Sequence, residues 1–188
     1  MRSTIALTGA LLALTLAAGA PAAVAADPGG ATREVHREGF LIGFSLGAGD
    51  LGPDPCDDCG LGVGGDFHIG AMASRKVAVM LEGSFVTRDE VTHGLFGVAA
   101  QLWPDPAGRF WLKGGIGVGS LDRDNSFSGD PFDDHGHNHV YATVFGGAGV
   151  EVVRSGRFTI DLQLRGAATF QSGDTAHRVS VNVGANWY

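Results

Sequence analysis

The sequence predicts an all-β fold, an eight-stranded antiparallel up-and-down transmembrane β-barrel. Three observations predict it. Apolar and polar residues alternate from Gly39 onward, the links between the alternating segments are short and long by turns, and one face of the segments carries essentially no charge. Alternation with period two marks a strand with two unlike faces. Lipid offers backbone no hydrogen bonds, so a β chain that crosses a membrane has to close on itself.

The first 25 residues stand outside this pattern. Met1-Arg2 is a minimal positive start, Ile5 to Ala18 is an almost unbroken apolar run, and Ala23-Val24-Ala25 is a small-x-small site. Together they predict a secretory signal peptide, residues 1–25, cut after Ala25. A retained helical anchor is the alternative, but no polar stop-transfer flank follows the run. No Cys lies near the cut, which argues against a lipid-anchored N-terminus. Residues 26–38 are then an N-terminal periplasmic segment, and residues 39–188 the barrel. No later stretch reaches the roughly 18 consecutive apolar residues of a transmembrane helix. Loss of Arg2 takes the formal charge from -7 to -8. Such an acidic chain is a poor partner for nucleic acid.

The strands are expected at about 39–49, 61–73, 76–87, 92–103, 109–120, 138–153, 157–170 and 177–188. Each is long enough for the roughly 9–11 residues that cross a bilayer at a tilt. In the first, Phe40, Ile42, Phe44 and Leu46 oppose Leu41, Gly43, Ser45 and Gly47. The seventh sets Phe158, Ile160, Leu162, Leu164 and Phe170 against Thr159, Asp161, Gln163, Arg165 and Thr169. The last sets Val179, Val181, Val183, Ala185 and Trp187 against Arg178, Ser180, Asn182, Gly184 and Asn186. Gly is abundant, at 31 residues, inside these alternating runs. A narrow barrel interior calls for that, because backbones and side chains crowd its axis.

Short links follow strands two, four and six: Ser74-Arg75, Pro104 to Gly108, and Arg154-Ser155-Gly156. Longer or more polar links follow the odd strands: Asp50 to Gly60, Arg88 to Val91, Leu121 to His137, and Gln171 to Ala176. Bacterial outer-membrane barrels place short turns in the periplasm and longer loops outside. Charge divides in the same way, with Asp and Glu in the longer links and Arg75, Lys76, Arg109, Arg154 and Arg157 at the short ones.

A soluble lipocalin-like carrier would show the same alternation with its faces reversed, an apolar cavity inside and a charged face outside. Here the polar face is mostly Gly, Ser, Thr, Asn and Gln. Its few charges are Asp66, Glu82, Lys113, Glu151, Asp161, Arg165 and Arg178, of mixed sign and able to pair across a lumen. The other face is Val, Leu, Ile, Phe and Ala, as lipid requires. Phe40, Phe85, Trp103, Phe110, Phe158, Phe170, Trp187 and Tyr188 lie near strand ends, where interfacial aromatic girdles form.

The chain resembles the small bacterial outer-membrane β-barrel proteins typified by the transmembrane domain of outer-membrane protein A. The resemblance covers about residues 39–188. It rests on the Trp111-Leu112-Lys113-Gly114-Gly115-Ile116-Gly117 run, on Gly147-Ala148-Gly149-Val150-Glu151, and on the ending Val183-Gly184-Ala185-Asn186-Trp187-Tyr188. It implies an outer-membrane location, contact with outer-membrane lipid and lipopolysaccharide, and insertion by the barrel assembly machinery. Members of that family usually end on an aromatic in phase with the lipid face. Here Trp187 holds that phase, and Tyr188 is one residue out of it.

Two loops carry residues suited to ligation. Asp133 and Asp134 precede His135, His137 and His139, a set of carboxylates and imidazoles fit for Zn²⁺, Cu²⁺ or Ni²⁺. The alternative is a hydrated polar loop tip. Asp122, Asp124 and Ser126 echo the start of a Ca²⁺ loop, although Phe127 stands where the sharp turn needs Gly. A divalent cation in loop 121–139 is thus the one ligand foreseen, and no cofactor is required. Cys56 and Cys59 are spaced Cys-x-x-Cys without the βαβ setting of a redox motif. In an oxidising envelope they are expected to close a local disulfide.

Some members of the resembled family are lipid A-modifying enzymes, so Ser, His and acid combinations matter. His177 and Ser180, three apart, fall on opposite strand faces. His93 and Ser84 can approach each other across strands three and four, without an evident acid. His68 with Asp66 fits a polar lumen. The leading expectation is a non-enzymatic platform that presents acidic loops for surface interaction or cation binding. A lipid A-modifying enzyme and a secreted soluble lipocalin-like carrier are the alternatives.

Overall fold

A computed structural model describes residues 35–52, 61–88, 91–122, 140–171 and 174–188. Eight strands run in chain order: β1 Phe40–Gly52, β2 Gly62–Ser74, β3 Val77–Arg88, β4 Val91–Leu102, β5 Phe110–Asp122, β6 Tyr141–Ser155, β7 Phe158–Gln171 and β8 Asp174–Trp187. Each pairs antiparallel with its neighbour in sequence, and β8 pairs with β1 to close the barrel. The closing seam runs from Ile42 opposite Trp187 to Gly52 opposite His177. The predicted fold class and all eight strands are present. The largest boundary shifts are of three residues: β1 runs on to Gly52, β6 starts at Tyr141, and β8 starts at Asp174, opposite Gln171.

The three short connections share one end of the barrel with Tyr188 and residues 35–39. At Gly156 the backbone takes φ +63°, and at Gly39 it takes φ +78°. Both are left-handed conformations that glycine adopts without a Cβ clash. Gly156 opens the two-residue turn between β6 and β7, and Gly39 turns the chain into β1. Register shifts occur at Met72/Ser74 and at Glu151/Val153, both near this turn end. The second one leaves Val152 and Val153 facing outward together, while Glu151 stays inside.

The faces divide as the alternation predicts for a membrane barrel, opposite to the arrangement of a soluble carrier. Outside lie exposed Leu46, Val63, Phe96, Ile116, Leu162 and Val181, with no charge among them. Inside lie buried Asp66, His68, Glu82, Lys113, Asp161 and Arg165. Toward the turn end the filling turns apolar, with Val35, Leu41, Ala78, Met80, Trp103 and Tyr188 in one cluster.

Glycine makes room for two inward rings of the strands, Phe145 and Trp111. A Cβ at Gly97 or Gly115 would press on the Phe145 ring at under 3 Å, and one at Gly149 would press equally on Trp111. The aromatic girdle is a correction to the sequence reading. Phe40, Phe110 and Trp187 do sit outward near the turn end, and Trp187 packs on Phe158 at 4.8 Å and on Phe44 at 6.0 Å. Trp103 and Tyr188 instead turn inward, 0% and 4% exposed. Both continue the inner phase of their strands, Trp103 after Ala99 and Gln101, and Tyr188 after Asn182 and Asn186. A polar partner in the lumen holds each of them there.

Candidate functional site

The polar lumen is the one place where the described residues gather chemically active groups, and it has three tiers. Strand alternation points every second residue of all eight strands at the axis. Nearest the loop end, His93 of β4 places Nε2 2.9 Å from Thr169 Oγ1 of β7, and Thr143 of β6 joins at 2.8 Å. Arg178 of β8 donates to the His93 carbonyl at 3.1 Å and to Ser84 Oγ. Ser84 is therefore engaged by Arg178, and the hydroxyl beside His93 belongs to Thr169. Thr169 is fully buried, and His93 Nδ1 has no hydrogen-bond partner among the described residues. Among the described residues the pair has no carboxylate of the kind that orients a catalytic imidazole.

The middle tier is an ion-pair network. Glu82 of β3 accepts from Lys113 Nζ of β5 at 3.0 Å and from Arg165 of β7. Arg165 also pairs with Asp66 of β2. Asp66 accepts from Ser45 Oγ and faces His68 Nδ1 at 3.1 Å, while His68 Nε2 faces Asn186 Oδ1 at 2.9 Å. Asn186 Nδ2 and Trp111 Nε1 donate to Asp161 Oδ2 at 3.0 and 3.1 Å. Asp66, His68 and Glu82 are a donor set that can by composition hold a metal ion. Both carboxylates already neutralise Arg165 and Lys113, so a dication between them would stand against two cations. The arrangement is a closed network of paired charge.

At the turn-end mouth Glu151 of β6 is fully buried and has four partners. They are Arg37 Nη2 at 2.6 Å, Trp103 Nε1 at 3.0 Å, Tyr188 Oη at 3.3 Å and Arg154 Nε at 3.3 Å. Arg37 precedes β1, and its guanidinium lies over Trp103 at 4.8 Å and Tyr188 at 5.9 Å. Burial pushes the Tyr188 phenol up, so it stays a donor. Sequence reasoning missed Arg37, having assigned residues 26–38 to a segment outside the barrel. The inner phase of Trp103 and Tyr188 was the available signal that the mouth is filled.

Among the buried charged residues, Asp66, Glu82, Glu151 and Asp161 balance Arg37, Lys113, Arg165 and Arg178. The cavity beside Ser84, Arg165, Arg178 and Asn182 is about 10 Å³, room for a single water. His177 is exposed at the loop end and Ser180 is buried, on opposite faces as their spacing requires. His135, His137, His139, Asp133, Asp134, Cys56 and Cys59 lie outside the described residues.

No protein-family model and no curated protein matches the chain. Solved structures do. Neisserial surface protein A is similar with a TM-score of 0.53 at 10% identity, over 79% of this chain and 96% of its own. The attachment invasion locus protein Ail of Yersinia pestis is similar with a TM-score of 0.50 at 14% identity, over 80% of this chain and 98% of its own. The structure of Ail, an outer membrane protein, in a phospholipid bilayer nanodisc gives 0.50 at 11% identity, over 80% of this chain and 100% of that one. A closed eight-strand antiparallel barrel is the fold these proteins share with the chain, which therefore has the fold of the small eight-stranded outer-membrane β-barrels.

Proposed function

We propose that the chain is inserted in the bacterial outer membrane as a non-enzymatic barrel. Its turn end faces the periplasm, and its acidic loops face outward for surface interaction or cation binding. The observation that carries this reading is the segregation of charge. The buried ions face a filled lumen, while the outward belt from Leu46 through Ile116 to Val181 is apolar and exposed. In water such a belt would be an aggregation surface, and in lipid it is matched to its solvent. The filled lumen supports a platform over a pore. Outer-membrane lipid and lipopolysaccharide are then the partners of the belt, and the barrel assembly machinery inserts it. Within loop 121–139, His135, His137 and His139 with Asp133 and Asp134 are the proposed ligands of a divalent cation, and Cys56 and Cys59 the proposed disulfide.

Fractionation of expressing cells tests the reading, followed by gel migration with and without boiling. Recovery in outer membranes with a heat-shifted band supports it. Recovery as a soluble protein without detergent sinks it. Zn²⁺ titration of the wild type against a triple His135/His137/His139→Ala variant tests the loop, and equal binding by both removes these residues as ligands.

A further inference from the structure

Arg37 is seated in the turn-end mouth as a ligand is seated in a receptor. One guanidinium nitrogen, Nη1, donates to the Pro106 carbonyl at 2.6 Å. The other, Nη2, donates to Glu151 Oε2 at 2.6 Å and to the Gly108 carbonyl at 3.2 Å. Between them, Cζ lies over the indole of Trp103, 4.8 Å from its centroid. We propose that this mouth is a guanidinium-binding site built by the barrel, and that Arg37 is its tethered occupant.

The acceptors are placed without help from Arg37. Trp103 Nε1 and Tyr188 Oη hold Glu151 Oε1. The Trp103 and Tyr188 rings meet edge to face at 5.8 Å. The turn carrying Pro106 and Gly108 is closed on itself, by Gly108 N to Asp105 O at 3.0 Å and Ala107 N to Asp105 Oδ1 at 3.0 Å. The backbone nitrogen of Trp103 is fixed to Lys76 O at 2.8 Å. Carboxylate, two carbonyls and aromatic wall thus all come from β6, the link between β4 and β5, and Tyr188.

The attachments of residues 35–38 other than Arg37 and the buried Val35 are peripheral. His36 N donates to Gly156 O at 3.2 Å, Arg157 donates to the Glu38 carbonyl at 3.0 Å, and Glu38 pairs with exposed Arg75 at 3.6 Å. Arg37 is the group these contacts deliver to the mouth.

The geometry selects a guanidinium over an ammonium. A planar fork donates from separate nitrogens while its face lies on an aromatic ring, whereas an ammonium is a compact and strongly hydrated point charge. The ligand class is an alkylguanidinium, or the arginine side chain of an extended peptide. Arg154 does not fill the same place. Its Nε reaches Glu151 Oε2 only at 3.3 Å, and its Nη1 is drawn away to the Ala107 carbonyl at 2.9 Å.

The test is chemical rescue of the full chain carrying Arg37→Ala. The compact, unboiled band is followed against temperature in detergent, with millimolar methylguanidinium or methylammonium. The variant is expected to melt below the wild type and to regain most of the difference with methylguanidinium. The methylammonium requirement should be at least about tenfold higher, a difference of about 1.4 kcal/mol. The double variant Arg37→Ala/Glu151→Gln should show no rescue. Should Arg37→Ala not refold alone, the yield of compact band with each cation present during refolding gives the same comparison. Equal action of the two cations, or rescue that survives Glu151→Gln, overturns the proposal.

Discussion

Arg37 and Glu151 stand 114 residues apart in the chain and meet at 2.6 Å, with side chains 2% and 0% exposed. The contact ties the residues before β1 to the inner face of β6 across the open end of the barrel. A carboxylate withdrawn this far from water costs several kcal/mol unless it is paired and hydrogen-bonded. Glu151 is both, because the aromatic side chains that close the mouth are also its donors. The same group of residues thus closes the lumen and stabilises the charge inside it.

Glu82 is shared by Lys113 and Arg165, and Arg165 keeps a second partner in Asp66. Removing Glu82 takes from Lys113 its ion-pair partner at 3.0 Å, whereas removing Lys113 leaves Glu82 still paired with Arg165. Glu82→Leu is therefore expected to destabilise by about 3–5 kcal/mol and Lys113→Leu by less, and the double variant by less than the sum. Urea unfolding from detergent micelles measures all three. A larger loss for Lys113→Leu than for Glu82→Leu would contradict the assignment.

Gly149 and Gly114 offer a matched pair. Gly149 lies against Trp111, while a Cβ at Gly114 meets nothing within 4 Å. Gly149→Val is expected to cost about 1–3 kcal/mol through overpacking, and Gly114→Val close to nothing. The two melting curves decide it, and the prediction fails if they coincide. How far glycine content was legible is clear from this pair. The count alone implied a crowded interior, but only the structure shows which glycine lies against a large ring and which faces open space.

Ile116 is 70% exposed, in the middle stretch of β5. In the proposed membrane setting, Ile116→Arg should cost about 2–4 kcal/mol, the price of a cation on the lipid face near mid-depth. On a protein surface in water the same change is close to neutral. Folding yield into vesicles reads the difference, and an undiminished yield would count against insertion.

The phenol of Tyr188 is shifted up by burial, so its folded value lies above its unfolded one of about 10. Stability from this group is complete below the unfolded value and declines as pH rises beyond it. The barrel is expected to lose thermal stability above about pH 10. Tyr188→Phe should lower stability at neutral pH and flatten the alkaline decline. An alkaline profile unchanged in the variant would show that another group sets it.

The strands were readable because the signal is local. Val179, Val181 and Val183 against Ser180, Asn182 and Gly184 identify a two-faced strand without reference to any other part of the chain. Seven inner charges were also foreseen by face. Misread were Trp103 and Tyr188, whose bulk suggested an interface although their phase placed them inside, while Arg37, which lies outside any strand, was passed over.

By itself the sequence determined the strand set, the order of short and long links, and which face of each strand is apolar. Those follow from alternation and from turn residues, properties of neighbours in the chain. Only the tertiary structure decided the partners inside. Arg165 reaches Glu82 across 83 residues, and Arg37 reaches Glu151 across 114. Closure of the seam from β8 to β1 turns eight inner faces toward one axis, and which charges meet there depends on register and stagger around the whole ring. No local pattern encodes that, because each pair is set by the shape of the complete barrel.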